Sequence, residues 1–272
     1  MRRGLTGAAL LALAALLALA ALLALGCRNH PAGVAPAGPP PANDSNGMET
    51  MRWSIPDDRG ELDDLLDSSA PPPGLSAQVD ARLRGNGLIL RRLPVAELER
   101  LVVACGGATG TIRTWHGQMA TWRDLVQASL NGRRAFLVDG RIEQLGPGVL
   151  RLQLRGWTVP TESGGVLDAE LVVTAQDSSE PAHRPSVEPL SLRGEALPGC
   201  SIAWSLERGF VDVLTSAPTP AAGSSSGPPG DLPLSVGAFL LGQRATTDES
   251  ARRSVLLLLP AIPEAMFKSP LG

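Results

Sequence analysis

The sequence predicts an α+β fold that is predominantly antiparallel β-sheet, with a few short helices in the N-terminal half. Two observations favour this fold class. Leu150, Leu152 and Leu154 alternate with polar residues, and the apolar residues of the stretch 166–176 alternate in the same way, which is typical of strands with one buried face. Helical patterns lie before about Leu130 and strand patterns after it, and this segregation favours α+β over alternating βαβ units.

Four short helices are predicted from apolar residues that recur on one side of each segment. Ser76 is placed to cap the second helix, Pro94 suits the first turn of the third, and Thr121 is placed to cap the fourth. The pair Gly106-Gly107 is placed to end the third helix. The predicted helices cover the strongly acidic residues 56–67, and residues 75–85, 94–106 and 121–130.

Strands are predicted where short apolar or alternating runs are bounded by turn residues. Asp139-Gly140 predicts a hairpin turn, because glycine readily takes a positive φ. Residues 255–259 are apolar throughout, so the run 254–259 is predicted to be a central strand covered on both faces. The other predicted strands are residues 87–92, 111–115, 135–138, 149–160, 166–176, 190–193, 201–207 and 210–214.

Composition divides the chain into five parts. Residues 1–26 are predicted to be a signal peptide, and residues 27–74 a tether rich in Pro, Ala and Gly that contains the short acidic helix. Residues 75–217 are predicted to form the α+β domain, and residues 218–233 a low-complexity loop. Residues 234–272 are expected to supply C-terminal strands that complete the sheet.

The N-terminal segment predicts where the protein is located. Residues 8–25 are all alanine or leucine, follow Arg2 and Arg3, and lead directly into Gly26-Cys27. This pattern is typical of a bacterial export signal. The stretch Leu23-Ala24-Leu25-Gly26-Cys27 resembles the lipobox of bacterial lipoproteins. The resemblance implies that Cys27 is acylated and holds the protein in the cell envelope, on the periplasmic or extracytoplasmic side of a membrane.

Two other interpretations of the N-terminal segment stay open. An apolar run of about 18 residues is long enough to cross a bilayer, so the segment would then be an uncleaved N-terminal transmembrane anchor. Cleavage by ordinary signal peptidase after Ala24-Leu25-Gly26 would instead release a soluble protein.

The remaining cysteines also have two interpretations. Lipidation of Cys27 would leave Cys105 and Cys200 as an even pair, which is able to form a disulfide in an oxidising compartment. The alternative is two buried thiols, because the sequence does not show whether these residues meet.

No catalytic, metal or cofactor site is predicted. His30, His116 and His183 have no ligand or carboxylate at the spacing that such sites require. The aspartates of residues 57–67 lack the spacing of a calcium loop, and the glycines of residues 106–110 follow a helix, whereas a phosphate-binding loop precedes one. The formal net charge of −3 gives no reason to expect a nucleic-acid partner.

Two residue pairs have both a structural and a functional interpretation. Trp115 and Trp122 are expected to pack in the core, and a ligand-binding face is the alternative. Arg151 and Arg155 share one face of a predicted strand, where a solvated face is expected and an anion site is the alternative.

Three β segments follow one another in a recognisable order. They are Leu130-Asn131-Gly132-Arg133-Arg134-Ala135 before a strand, Gly148-x-Leu-x-Leu leading to Val159-Pro160, and Leu257-Leu258-Leu259-Pro260. This order resembles the carboxy-terminal β region of bacterial secretins, the outer-membrane channels of export machines. The chain lacks the long N-terminal repeats of secretins and their long membrane-spanning hairpins. The resemblance therefore implies a β module related to an envelope assembly, and not a pore.

The sequence as a whole predicts an exported, lipid-anchored envelope protein with a scaffolding or protein-binding role. Its expected partners are the membrane, through Cys27, and other envelope proteins. The alternative is an envelope protein that binds a small ligand or a polysaccharide through a tryptophan-bearing face. No enzymatic activity is predicted.

Overall fold

The computed structural model describes residues 46–58, 60–107, 110–161, 164–178, 192–218, 233–243 and 251–262. These residues all fall within the unit Pro41–Gly272. The predicted signal peptide, Cys27, His30, His183 and nearly all of the low-complexity stretch lie outside the described residues.

The described chain contains thirteen strands and four α-helices. The strands are β1 (Gly47–Pro56), β2 (Leu88–Pro94), β3 (Ile112–Gly117), β4 (Met119–Leu130), β5 (Arg134–Val138), β6 (Arg141–Leu145), β7 (Gly148–Thr161), β8 (Gly164–Asp177), β9 (Glu195–Leu206), β10 (Phe210–Ser216), β11 (Leu234–Ser235), β12 (Gly242–Gln243) and β13 (Arg252–Ala261). The helices are α1 (Gly60–Ser68), α2 (Ala77–Gly85), α3 (Leu98–Ala104) and α4 (Val236–Leu241), and a 3-10 turn at Val95–Glu97 precedes α3.

The strands form three sheets. Sheet A has six strands in the order β2-β10-β13-β1-β3, with β12 also paired to β13. Sheet B has four strands in the order β4-β7-β8-β9, and sheet C has three in the order β11-β5-β6. The strand pairs are antiparallel except for β11 with β5. The prediction of a mainly antiparallel β protein is confirmed.

Sheet A is apolar on both faces. One face packs on the inner face of sheet B in a cluster that we call the inner core, to which sheet A contributes Leu90 and Leu256 and sheet B contributes Leu152 and Leu171. The opposite face packs against α1 and α3 in a second cluster, the helix-side core, around Leu66, Leu101 and other residues. The fold is therefore layered, with sheet B, sheet A and helices in succession.

Strand β13 lies in the middle of sheet A, as the apolar run 254–259 predicts. It pairs with β1 on one side and with β10 on the other. Val255 and Leu257 belong to the helix-side core, whereas Leu256 and Leu258 belong to the inner core. Both faces of the strand are covered, which explains why its sequence does not alternate with polar residues.

Three of the four predicted helices are present. α1 buries Leu62, Leu65 and Leu66, the residues that give the acidic segment its apolar side. The hydroxyl of Ser76 accepts a hydrogen bond from the backbone N–H of Val79 at 3.3 Å, so Ser76 caps α2 as predicted. α3 begins four residues after Pro94, because Pro94 ends β2 and the 3-10 turn Val95–Glu97 lies between them.

The predicted helix at residues 121–130 is wrong, because this segment is the strand β4, which pairs with β7. Two register irregularities interrupt that pairing, one between Met119 and Arg123 and one between Asp124 and Val126. An extra residue in a strand shifts the phase of its in–out alternation. The apolar residues Trp122, Leu125 and Val126 therefore take a spacing in sequence that imitates a helix.

The C-terminal run at residues 234–241 also differs from the prediction of strands. Only the two residues of β11 are extended, and α4 follows them. The hydroxyl of Ser235 accepts from the backbone N–H of Ala238 at 3.2 Å and thereby caps α4. A Cβ at Gly237 would collide with the carbonyl group of Gly87, so glycine is what allows the helix to approach this backbone.

The folded part of the chain begins before the predicted boundary at residue 75. β1 is an inner strand of sheet A, so the prediction of a tether is wrong from Gly47 onwards. Trp53 and Ile55 are buried in the helix-side core, and Met48 is buried in the inner core. A second, smaller difference concerns the predicted strand at 190–193, since Leu192 and Arg193 are not in a strand.

We predict that Leu257→Ala destabilises the protein by about 2 to 5 kcal/mol, because it leaves a cavity beside fully buried neighbours. Urea unfolding of the full chain, followed by tryptophan fluorescence, measures the change. Ile142→Ala is the control, since Ile142 is 66% exposed and its loss should change the free energy of unfolding by no more than about 0.5 kcal/mol. Equal unfolding midpoints for the two variants would contradict a central position for β13.

Candidate functional site

A buried charged network joins three strands of sheets A and B. The guanidinium of Arg92 on β2 donates to both carboxylate oxygens of Asp212 on β10, at 2.8 and 3.0 Å. Trp204 on β9 donates its indole N–H to Asp212 at 2.7 Å. Burial raises the pKa of the Asp212 carboxyl, although Arg92 and Trp204 oppose that shift. The network is satisfied internally, so its role is to hold β9 against sheet A.

Two further arginines of sheet A bind helices. Arg91 donates to both carboxylate oxygens of Asp80 on α2, at 2.7 and 3.0 Å. Burial alone would raise the pKa of Asp80, but the hydrogen bonds and charge of Arg91, with Arg84, hold it below its usual value. Arg253 on β13 is fully buried and lies 2.7 Å from Asp63 on α1. These ion pairs are structural, and sequence reasoning missed them because the partners are distant in sequence or in different elements.

The outward side of sheet B, which we call the outer face, carries a cluster of polar and aromatic side chains. The strand register places Trp157, Asp168 and Ser205 side by side across β7, β8 and β9. The neighbouring row contains Arg155, Glu170 and Ala203. Because the alternate positions of these strands carry the inner core, both rows point away from it.

Arg155 lies between two tryptophans on the outer face. Its guanidinium carbon is 4.7 Å from the ring centroid of Trp122 and 5.5 Å from that of Trp157, distances that permit cation–π attraction. Arg155 also donates to Glu170, with its Nε at 2.8 Å and its Nη2 at 2.6 Å from the same carboxylate oxygen. Stacking and ion pairing together fix the orientation of both rings.

The two predicted strand arginines do share the outer face, but neither offers a free positive charge. Arg151 pairs with Asp124 at 2.8 Å and also donates to Gln127. Arg155 pairs with Glu170. The structure therefore gives no support to an anion site. Both arginines are only partly exposed, so they are less solvated than the sequence predicted.

A shallow cleft of about 340 Å³ opens beside Trp157. Asp168, Glu170, Ala203 and Ser205 form its lining on sheet B, and Pro73 and Gly74 line it from the segment before α2. The hydroxyl of Ser205 donates to one oxygen of Asp168 at 2.7 Å. Trp157 was not singled out from the sequence, although its place at the end of an alternating strand was a usable signal.

Strand β3 forms one edge of sheet A. Within the described residues it pairs only with β1, through the stretch from Met48 to Arg52. Residues 112–114 are exposed, and Ile112 is 48% exposed despite its apolar side chain. Arg113 forms an ion pair with Glu49 on β1.

His116, on β3, is bound to a hydroxyl group. Its Nε2 lies 2.9 Å from the Oγ1 of Thr50. Burial, with a smaller contribution from the charge of Arg123, lowers the pKa of His116, so the ring is neutral at physiological pH. Trp115 lies on β3, in sheet A, and Trp122 lies on β4, in sheet B. The two tryptophans proposed from the sequence as a ligand-binding face therefore do not lie in one sheet.

The cysteines Cys105 and Cys200 lie in different cores and are not joined by a disulfide. Cys105 is buried in the helix-side core and Cys200 in the inner core. Burial, reinforced by the charges of Asp139 and Glu143, raises the pKa of the Cys200 thiol to about 12. Of the two interpretations, the structure favours buried thiols. The predicted lipidation site, Cys27, lies outside the described residues.

No group of three or more His, Cys, Asp or Glu side chains in the described part of the chain is arranged to hold a metal ion. None of the helices described is both long enough and apolar enough to span a membrane. The apolar run at residues 8–25 lies outside the described residues.

We predict that both buried thiols stay reduced in the native protein. Iodoacetamide at pH 8 should leave the folded full chain unlabelled at Cys200, because a thiol with a pKa of about 12 is not ionised there and is buried. Denaturation without reductant should then allow labelling of Cys105 and Cys200, as intact mass will record. A chain that takes up label at these positions only after reduction would instead contain the disulfide.

Comparison of the chain with protein-family models, with curated proteins and with solved structures gives no match.

Proposed function

We propose that this α+β chain is a non-catalytic envelope protein, anchored by acylated Cys27 on the extracytoplasmic side of a membrane, that binds another protein through the outer edge of β3. The observation that supports the proposal most directly is the exposed edge of sheet A at Ile112–Gly117. The lipobox-like stretch that ends at Cys27 supports the anchor.

An edge strand is a ready template for another strand. One side of the β3 backbone bonds to β1, and the opposite side has no partner strand among the described residues. Unpaired N–H and C=O groups in such a row bind an extended segment of a partner through main-chain hydrogen bonds. The exposed side chains beside them would then select the partner.

The usual protection of an edge strand is weak in β3. Proteins often guard edges with proline or with charged side chains that repel a second strand. β3 contains no proline, and its only charged residue, Arg113, is engaged by Glu49 on the neighbouring strand. The apolar side chain of Ile112 remains exposed at the start of the strand. These features favour association at this edge.

We predict that Cys27→Ser prevents acylation. Replacing the thiol removes the acceptor for the lipid, so the variant should lack the mass of the acyl groups. Its fractionation then reports whether residues 1–26 are still removed, because an uncleaved apolar run at residues 8–25 would itself hold the chain in the membrane. Intact-mass analysis and fractionation of both forms give the measurement. If the masses of the wild type and the variant differ only by the Cys-to-Ser exchange and the two fractionate alike, the lipid anchor is refuted. Binding at the edge of β3 is tested separately.

A crosslinking experiment tests the edge of β3. A photo-crosslinking amino acid at Thr114 in the full, membrane-attached chain should yield a discrete adduct, identified by mass spectrometry. The same group at Glu99, an exposed position on α3, is the control and should yield none. Ile112→Lys should weaken the Thr114 adduct by at least about fivefold, because a charge at this edge opposes strand addition.

The urea unfolding midpoint of Ile112→Lys should match that of the wild type, because Ile112 is largely exposed. Adducts of equal yield from Thr114 and Glu99, or the absence of any adduct at Thr114, would refute binding at β3.

A further inference from the structure

We propose that the cleft beside Trp157 is a binding site for a sugar ring of an uncharged oligosaccharide or polysaccharide. This site lies on sheet B, whereas the edge of β3 belongs to sheet A, so the inference does not depend on the proposed protein-binding function. It rests on the arrangement of an aromatic ring, a carboxylate and a hydroxyl group in one row of the sheet.

The aromatic member of the row is held in place before any ligand arrives. Trp157 is half-buried, and the guanidinium of Arg155 lies 5.5 Å from its ring centroid. Arg155 is itself fixed by Glu170 and by the ring of Trp122. An immobilised ring costs little conformational entropy on binding, so it is a suitable platform for the apolar C–H face of a sugar.

The polar members of the row match hydroxyl groups. One oxygen of Asp168 accepts from Ser205 at 2.7 Å, and no hydrogen-bond partner is found for its other oxygen within the described residues. A carboxylate is purely an acceptor, and the Ser205 oxygen keeps lone pairs for a donor. Hydroxyl groups at the rim of a sugar ring supply such donors, and hydrogen bonds to an ionised acceptor are the stronger kind.

The charges of the cleft favour a neutral ligand over an anion, which Asp168 would repel, and over a cation, which Arg155 would repel. Glu170 is paired with Arg155, which leaves Asp168 as the charged lining residue without an ion-pair partner in the described part of the chain. The Arg155 guanidinium already occupies a cation–π position on Trp157 and would repel a second cation near the same ring. An uncharged ring that stacks on the indole and donates hydrogen bonds to Asp168 meets neither repulsion.

The shape of the cleft allows a ring to enter. Ala203 is one of the lining residues, and its small side chain occupies little of the cleft. Among the described residues, no atom lies within 4 Å of the position that a Cβ at Gly74 would occupy. The volume of about 340 Å³ accommodates one or two sugar rings.

The test is isothermal titration calorimetry with the full chain in a polyoxyethylene detergent, because alkyl-glycoside detergents would compete. The probes are the uncharged hexasaccharides cellohexaose, hexa-N-acetylchitohexaose and maltohexaose, with choline and hexalysine as cationic probes. At least one hexasaccharide should bind, and Trp157→Ala should weaken that binding at least about tenfold through loss of the stacking surface. Asp168→Asn should weaken it about threefold or more, because it removes the ionised acceptor.

Trp115→Ala is the matched control, since it removes a tryptophan of the same exposure class from sheet A and should leave hexasaccharide affinity within about twofold. Unfolding midpoints of all variants check that they fold. The proposal is overturned if none of the three hexasaccharides binds at concentrations up to about 10 mM. It is also overturned if only the cationic probes bind, or if Trp157→Ala binds as tightly as the wild type.

Discussion

The fold depends on the burial of β13 from both sides. Val255 and Leu257 bring α1 and α3 onto one face of sheet A, and Leu256 and Leu258 bring sheet B onto the other. A strand that is apolar on both faces has no stable position except at the centre of a layered structure. The neighbouring strands β1 and β10 occupy the positions on each side of it, although they are far from it and from each other in sequence.

Burial of arginine at the layer boundaries follows from this arrangement. Arg92, Arg91 and Arg253 lie on strands of sheet A and each meets a carboxylate, on β10, α2 and α1 respectively. A buried charge is tolerated only with a partner, so each pair specifies which element packs at that place. The Arg92 network reaches Trp204 and the carbonyl group of Ser205, and it therefore holds the β9 wall of the cleft against sheet A. The positions of the cleft residues are in this way coupled to the core.

The sequence predicted an element correctly where its pattern of apolar residues is not interrupted along the chain. It found β7, β8 and β13 by alternation or by continuous apolar character, and α1 and α2 by helical spacing and the Ser76 cap. It missed β1 because the stretch follows a composition typical of a tether, although Met51, Trp53 and Ile55 alternate with polar residues there. The boundary of a folded region depends on long-range pairing, here with β13 and β3, and local composition does not reveal such pairing.

One of the two irregularities of β4, the segment that was wrongly predicted to be a helix at residues 121–130, also brings the two tryptophans to Arg155. Met119 pairs with Gly156 and Arg123 with Leu154, so four positions along β4 span only two along β7. Such bulges redirect side chains, and the bulged stretch contains Trp122. Without the two additional residues, Trp122 would face the same side of the sheet but would lie opposite Gln153, whereas the bulge places it opposite Arg155. The shared face of Arg151 and Arg155 was therefore predictable from alternation alone, whereas the contact of Arg155 with Trp122 and Trp157 depends on a register shift that only the folded sheet reveals.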